Sequence, residues 1–480
     1  MTTGSSRLVI AGLSGDSGKT IASLAFVTAL KRNRHTVSVF KKGPDYIDPA
    51  WLSMAAQSRC HNLDTYMVDR GDVLRSFAEH SAKGGVSVVE GNRGLFDGKD
   101  AAGTHSTAEL AKLIDAPVVL VVDAAKTTRT IAAIVKGCVD FDRDVKIAGV
   151  ILNRIAGERH ARIIGESIKK YCGLPVLGAI PKLGEESRLI PGRHLGLVTP
   201  SEYDNEHDLR STLDDIAVRY IDVDRMIKIA EAAGPVPGVE PGPPRAAVQP
   251  AGVTIGYFSD TVFTFYYPEN LTALEAAGAK LVPVSSLTDD RLPEVDALYI
   301  GGGFPEMHAE QLTANRTLME SVRKAAEDGL PVYAECGGLI YLARSLRYGD
   351  SVYPMTGLFP IDLEMNAKPV GHGYTSIRVD APNPFYQVGT VIRGHEFHYS
   401  GPVGGLNELT SCMAVETGVG IDGARDGLVD GNTMACYCHV HADGVKDWAS
   451  GIVSKACEYA KVRGWGGSRN GGKEIKSVAL

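Results

Sequence analysis

Residues 232–251 limit how this chain can fold more than any other stretch. The run Ala232-Ala-Gly-Pro-Val-Pro-Gly-Val-Glu-Pro-Gly-Pro-Pro-Arg245 holds five prolines, and Pro250 follows closely. Each proline locks φ and removes a backbone donor, so neither a helix nor an inner strand survives that density. The chain is therefore expected to form a domain over 1–231, a linker over 232–251 and a second domain over 252–463. A Gly/Ser-rich tail, 464–480, is expected to be disordered.

Upstream of the break, short apolar runs alternate with helical patterns. Arg7–Ala11, Val37–Phe40, Val86–Glu90, Val118–Asp123 and Ile147–Leu152 read as strands, and Lys19–Lys31 reads as a helix. Runs this apolar are buried on both faces, as in a parallel sheet with helices packed on each side. A second alternating set begins at Val253–Phe258 and continues near Leu281, at Ala297–Ile300 and at Val332–Ala334. The last third is richer in β patterning. The fold class expected is α/β in both halves.

Between the first strand and first helix lies Gly12-Leu-Ser-Gly15-Asp-Ser17-Gly18-Lys19-Thr20. Binding a phosphate takes unblocked backbone N–H groups, a positive helix end and a nearby cation. Gly15, Ser17, Gly18, Lys19 and Thr20 are the candidate nucleotide ligands, with the Thr20 hydroxyl aimed at Mg²⁺. Five residues separate Gly12 from Gly18, one more than the strict pattern allows. Mg²⁺ also needs carboxylates at strand ends. Asp45, just past the second strand, and Glu90 are the candidates, because ligands of parallel sheets bind at that edge.

The second half carries Pro331-Val-Tyr-Ala-Glu-Cys336-Gly337-Gly-Leu-Ile340. A strand that runs into one cysteine, then two glycines and a helix, is the layout of a nucleophile elbow. The helix N-terminus is expected to favour the thiolate. Gly301-Gly302-Gly303 follows a strand, so Gly302 and Gly303, with Gly337, are candidate oxyanion donors. His439 and His441 are both candidates for the base; in a strand, residues two apart share a face. Cys436-Tyr-Cys438-His439-Val-His441 lacks the ligand spacing of a structural zinc site, and Cys436 and Cys438 are expected to pack in the core. The Arg393–Ser400 cluster places Arg393, His395 and Phe397 on one face of a strand, with Glu396 and His398 on the other.

The formal charge is −7 and no basic block stands out, so no nucleic-acid or membrane partner is expected. Scattered cysteines and the absence of a signal-peptide pattern suggest reduced thiols in a cytoplasmic protein.

Taken in order, these motifs resemble the cobyrinic acid a,c-diamide synthase family over about residues 7–460. The residues concerned are Ser17–Thr20, Lys42-Gly-Pro-Asp-Tyr-Ile-Asp-Pro49, Glu90–Gly98, Ser106–Ala111, Arg193–Gly196, Phe265–Asn270, Gly301–Glu306, Ala334–Gly338 and Arg393–Ser400. The resemblance implies an N-terminal domain like dethiobiotin synthetase and other phosphate-loop NTPases, and a C-terminal class I glutamine amidotransferase-like domain. It implies ATP and Mg²⁺, with L-glutamine and a tetrapyrrole carboxylate as substrates. Cys336 would be the nucleophile and His439 the base, although His441 stands where class I sites often hold an orienting glutamate. It further implies that Tyr46, Asp48 and Asp97 face the tetrapyrrole or its activated carboxylate, and that Asn153 reads adenine. A homodimer is compatible with it, and ammonia made in one half for use in the other implies a protected route. Nickel-sirohydrochlorin, sirohaem and hydrogenobyrinic acid remain open as acceptors. A regulatory nucleotide-binding protein with a dead glutaminase is the alternative of a different class.

Overall fold

The computed structural model describes residues 6–183, 190, 192–193, 196–203, 205–238, 251–404, 406 and 409–464. The chain divides into two compact units, Met1–Pro244 with Tyr266–Glu269, and Arg245–Phe265 with Asn270–Leu480. Most of the expected linker (239–250) and the expected tail from 465 onward lie outside the described residues.

The first unit alternates strand and helix: β1 (Ser6–Gly12), α1 (Lys19–Arg32), β2 (Val37–Lys42), α2 (Ile47–Ala56), β3 (Cys60–Leu63), α3 (Arg70–His80) and β4 (Val86–Gly94) come first. Then follow α4 (Thr107–Leu113), β5 (Val118–Asp123), α5 (Thr130–Phe141), β6 (Ile147–Ile155), α6 (Glu158–Cys172) and β7 (Val176–Pro181). The short pair β8 (Gly192–Arg193) and β9 (Gly196–Leu197) precedes α7 (Glu206–Tyr220) and α8 (Val223–Glu231). The seven main strands form one sheet in the order β3-β2-β4-β1-β5-β6-β7, paired in parallel throughout. Leu8 to Ile10 in β1 and Val118 to Val122 in β5 are wholly buried, as the unbroken apolar runs require. β4 continues four residues past Glu90, where the apolar run stops, because β1 keeps pairing with it as far as Gly12↔Gly94.

The second unit begins with β10 (Val253–Phe258), α9 (Pro268–Ala276), whose first two residues group with the first unit, β11 (Ala279–Val284), β12 (Ala297–Ile300), α10 (Ala309–Ala314), α11 (Arg316–Glu327), β13 (Val332–Glu335) and α12 (Gly337–Leu342). It continues with β14 (Ser345–Tyr348), β15 (Ser351–Pro354), β16 (Asp362–Met365), β17 (Gly371–Val379), β18 (Val391–His398), β19 (Ser400–Pro402), β20 (Ser411–Thr417), β21 (Arg425–Asp430), β22 (Thr433–Cys436) and α13 (Trp448–Val462). Nine strands form a mixed sheet in the order β11-β10-β12-β13-β22-β21-β20-β17-β18. It is parallel from β11 to β22 and antiparallel beyond. β13, wholly buried, lies between β12 and β22. No helix among the described residues is long and apolar enough to cross a membrane.

Candidate active sites

The strand order of the first unit assembles its polar site. β2, β4 and β1 are neighbours, so the loop after β1, the turn after β2 and the β4 carboxylate share one sheet edge. Gly18 enters α1 with φ at +93°, and a Cβ there would fall 2.1 Å from Asn153 Nδ2. Only glycine suits both constraints. Lys19 Nζ donates to Ser14 O at 2.8 Å, curling over its own loop. The Thr20 hydroxyl donates to Glu90 Oε1 at 3.0 Å, joining two of the three expected metal ligands.

Lys41 occupies the centre of this edge. Its ammonium donates to Glu90 Oε1 at 2.8 Å, pairs with Asp48 Oδ2 and lies 3.7 Å from Asp45 Oδ2. Burial acts to lower the Lys41 pKa, but Asp48 and Glu90 outweigh it and raise the pKa well above the ordinary lysine value. Burial also acts to raise the Asp48 carboxyl, and the Lys41 charge overcomes it, so Asp48 titrates below its usual range. Asp45 goes the other way, pushed up to about 7 by burial and by Asp48. Asp45 Oδ1 meanwhile accepts the Ile47 and Asp48 N–H groups and caps α2. Burial, and then the Lys41 charge, lower the Lys19 ammonium. The oxygen donors of Thr20, Glu90 and Asp45 suit a hard divalent cation. Sequence reasoning missed Lys41, although a lysine sharing a strand face with buried Val37 and Val39 was a signal that it points inward.

The remaining expected residues of this unit are more spread out. Gly15 is exposed and open, with nothing within 4 Å of a Cβ built on it. Ser17 is buried within the loop. Asn153 Nδ2 donates to Ser17 O at 3.0 Å, so here it braces the phosphate loop. Asp97 is exposed and accepts the Gly94 N–H at 2.8 Å, closing the turn after β4. Tyr46 precedes α2, at the same edge as Asp45.

In the second unit, Cys336 stands between β13 and α12 with φ at +47° and ψ at −97°. A non-glycine residue in this region is strained by about 1–3 kcal/mol and is held there by its surroundings. The Cys336 N–H donates to Cys436 O at 2.7 Å, so sheet pairing runs up to the candidate nucleophile. The helix behind it has only six residues. Burial, and then the Glu306 carboxylate, push the thiol well above its ordinary value. The expected thiolate is therefore not the resting state, because desolvation outweighs so short a helix.

Gly303 has φ at +157°, and a Cβ on it would lie 1.8 Å from Val262 O. A Cβ on Gly337 would lie 3.0 Å from Gly303 N, and one on Gly302 would lie 2.5 Å from His439 Cε1. The three expected oxyanion glycines and His439 thus converge around the cysteine turn. His439 and His395 exchange backbone hydrogen bonds of 3.2 and 2.8 Å, and their rings stack 4.8 Å apart. Burial, and then His439, hold the His395 imidazole well below its ordinary pKa. His439 Nδ1 lies 3.4 Å from Glu335 Oε2. His441 differs: its ring accepts the Asp443 N–H at 3.3 Å and caps a short turn.

Buried Asp426 accepts N–H groups from Gly427, Tyr437 and Cys438, anchoring the strand that leads to His439. Cys436 and Cys438 are buried, and Cys436 Sγ faces Cys438 O. Across β18, Glu396 and His398 share a side, 3.8 Å apart. All eight cysteines are free thiols.

Residues 8–191 match the family model described as the CobQ/CobB/MinD/ParA nucleotide binding domain, and residues 254–446 match the CobB/CobQ-like glutamine amidotransferase domain. A nucleotide-binding half joined to a glutamine amidotransferase half defines an amide-forming ligase. Among solved structures, PurLQS from Thermotoga maritima aligns with 44% of this chain and 99% of that chain at 18% identity, with a TM-score of 0.34. That likeness is too weak to carry weight.

Full-length relatives are far more similar. The cobyrinate a,c-diamide synthase of Magnetococcus marinus is 41% identical over 92% of this chain and 95% of that protein. The one from Archaeoglobus fulgidus is 41% identical over 94% and 97%. The chain belongs to the cobyrinate a,c-diamide synthase family.

Proposed function

We propose that this protein amidates the a and c carboxylates of cobyrinic acid, using ATP to activate each carboxylate and glutamine to supply the nitrogen. The observation that carries this reading is identity of 41% to synthases of that name, along more than nine-tenths of both chains.

In the second unit, Cys336 Sγ adds to the glutamine carboxamide carbon while His439 takes the thiol proton. Backbone N–H groups at Gly302, Gly303 and Gly337 receive the oxyanion. His439 returns the proton to the leaving nitrogen, ammonia departs, and water later cleaves the thioester to glutamate. A thiol held protonated until a base removes it suits this order of events.

In the first unit, a substrate carboxylate oxygen attacks the γ-phosphorus of ATP and ADP leaves. Ammonia then adds to the acyl phosphate carbon and phosphate leaves, giving the amide. The loop N–H groups and Lys19 hold the phosphates. Thr20, Glu90 and Asp45 would hold Mg²⁺, which when bound supplies positive charge beside the phosphates. Tyr46, Asp48 and Asp97 are assigned to the carboxylate-bearing substrate, and Asn153 to the nucleotide, where it also keeps Gly18 and Ser17 in place.

The test is a panel assay. Cobyrinic acid, hydrogenobyrinic acid, nickel-sirohydrochlorin and sirohaem are each offered with ATP, Mg²⁺ and glutamine, and the products are weighed by mass spectrometry. A doubly amidated cobyrinic acid formed in preference to the others is expected. Preference for another macrocycle would reassign the acceptor. ADP formation with no coupled glutamate release on any of them would end the proposal.

A further inference from the structure

We infer that Glu335, the residue immediately before the nucleophile, is the carboxylate that positions His439. The inference rests on the glutaminase reading above and supplies the member which that site lacks at position 441.

β13 is sheet-paired on both sides, and alternation along it puts Tyr333 and Glu335 on one face, Val332 and Ala334 on the other. Glu335 is wholly buried. A carboxylate withdrawn from water needs a compensating partner. His439 Nδ1 is 3.4 Å from Glu335 Oε2, and the Tyr299 hydroxyl lies 3.5 Å from the same oxygen.

The histidine side of the pair is held as firmly. Asn270 Nδ2 donates to Val440 O at 2.7 Å, and Asn270 Oδ1 accepts the Ala442 N–H at 2.8 Å. The same Nδ2 lies 3.4 Å from the Tyr299 hydroxyl. One asparagine thus pins the segment just after His439 and touches the tyrosine that touches Glu335. His395, whose ring stacks on that of His439, is held neutral by burial and adds no competing charge.

A carboxylate at Nδ1 keeps the proton on that nitrogen. It leaves Nε2 unprotonated to act as the base and stabilises the imidazolium that forms when the thiol is deprotonated. At 3.4 Å the contact is loose, as such contacts are before substrate binds. The usual solution hangs the carboxylate on the histidine's own strand; here it comes from the nucleophile's strand, and His441 is released to cap a turn.

The experiment measures glutamine hydrolysis by the full-length protein across pH, for wild type, Cys336→Ala, Glu335→Gln, Glu335→Asp, His439→Asn and the double variant Glu335→Gln/His439→Asn. Thermal unfolding of each variant identifies any that fail to fold. Glu335→Gln is expected to lower kcat by about 10²-fold or more with KM little changed. It should also move the acid limb of kcat/KM to lower pH, because loss of the anion disfavours the charged imidazole. Glu335→Asp should recover part of kcat, and the glutamine substitution should cost nothing further once His439 is gone.

If the wild type fails to hydrolyse glutamine, or Cys336→Ala retains hydrolysis, the glutaminase reading itself falls. If Cys336→Ala is dead while Glu335→Gln keeps its kcat and pH profile, only this inference falls. A folded Glu335→Gln whose loss adds in full to that of His439→Asn would also overturn it.

Discussion

Lys41 Nζ lies 2.8 Å from Glu90 Oε1, and the two side chains are 1% and 0% exposed. The ammonium stands where three carboxylates converge, so the first unit carries its own counter-ion at the edge assigned to phosphate transfer.

Removing that counter-ion leaves buried, unpaired carboxylates. Lys41→Ala is expected to destabilise the first unit by about 3–5 kcal/mol, measured by urea unfolding beside wild type. Adding Glu90→Gln should restore part of the loss. A Lys41→Ala loss below about 1 kcal/mol, the size of an ordinary substitution, would show that the ammonium does not hold this cluster together.

Cys336→Ala should abolish glutamine-dependent amidation and leave amidation with added ammonium salts. Loss of both activities in a folded variant would contradict the division of labour between the units.

Lys19→Met should remove ATP turnover with either nitrogen source, since its ammonium is the cation proposed to hold the phosphates. ADP release at wild-type rate would reject that assignment.

The two neighbouring histidines should separate cleanly. His439→Asn is expected to lower glutamine-dependent kcat by about 10²–10⁴-fold, the usual worth of a general base. His441→Asn, which disturbs a turn cap, should cost far less. The reverse order in steady-state kinetics would exchange their roles.

Asp426 gives a pH signature. Burial raises its carboxyl from 3.8 to about 6, against the pull of the backbone N–H groups of Tyr437, Gly427 and Cys438. Between those values the folded form holds a proton that the unfolded form has released. This group's contribution to stability is therefore complete below about pH 4 and is lost as pH rises to 6, at up to about 1.4 kcal/mol per pH unit. Asp426→Asn should remove that component from stability curves measured by denaturant unfolding at several pH values. An unchanged slope would mean Asp426 is ionised throughout.

The phosphate loop and cysteine elbow could be read from the chain because each is built locally. Gly18-Lys19-Thr20 at a strand–helix junction needs no distant residue to be recognised, and neither does a strand running into Cys336 and two glycines. Sheet membership was also legible, since the apolar runs at Val118–Asp123 and Val332–Ala334 suit only buried strands. The resting protonation of Cys336 was not legible, because it depends on how deeply the turn is buried and on Glu306, thirty residues away. Nor were the partners of the two histidines, since only the fold puts His439 Nδ1 3.4 Å from Glu335 and has the His441 ring accept the Asp443 N–H.

The order of residues by itself determined where each short-range device lies: a glycine-rich loop at a strand–helix junction, a tight turn that carries a thiol, and proline-dense chain between two patterned halves. These depend on backbone geometry within a few residues. Tertiary structure alone decided which charges meet. Placing β4 between β1 and β2 brought Glu90 to Lys41, and bridging β18 to the segment after β22 set His439 against Glu335. Electrostatic energy depends on distance and burial, and neither is written in sequence separation.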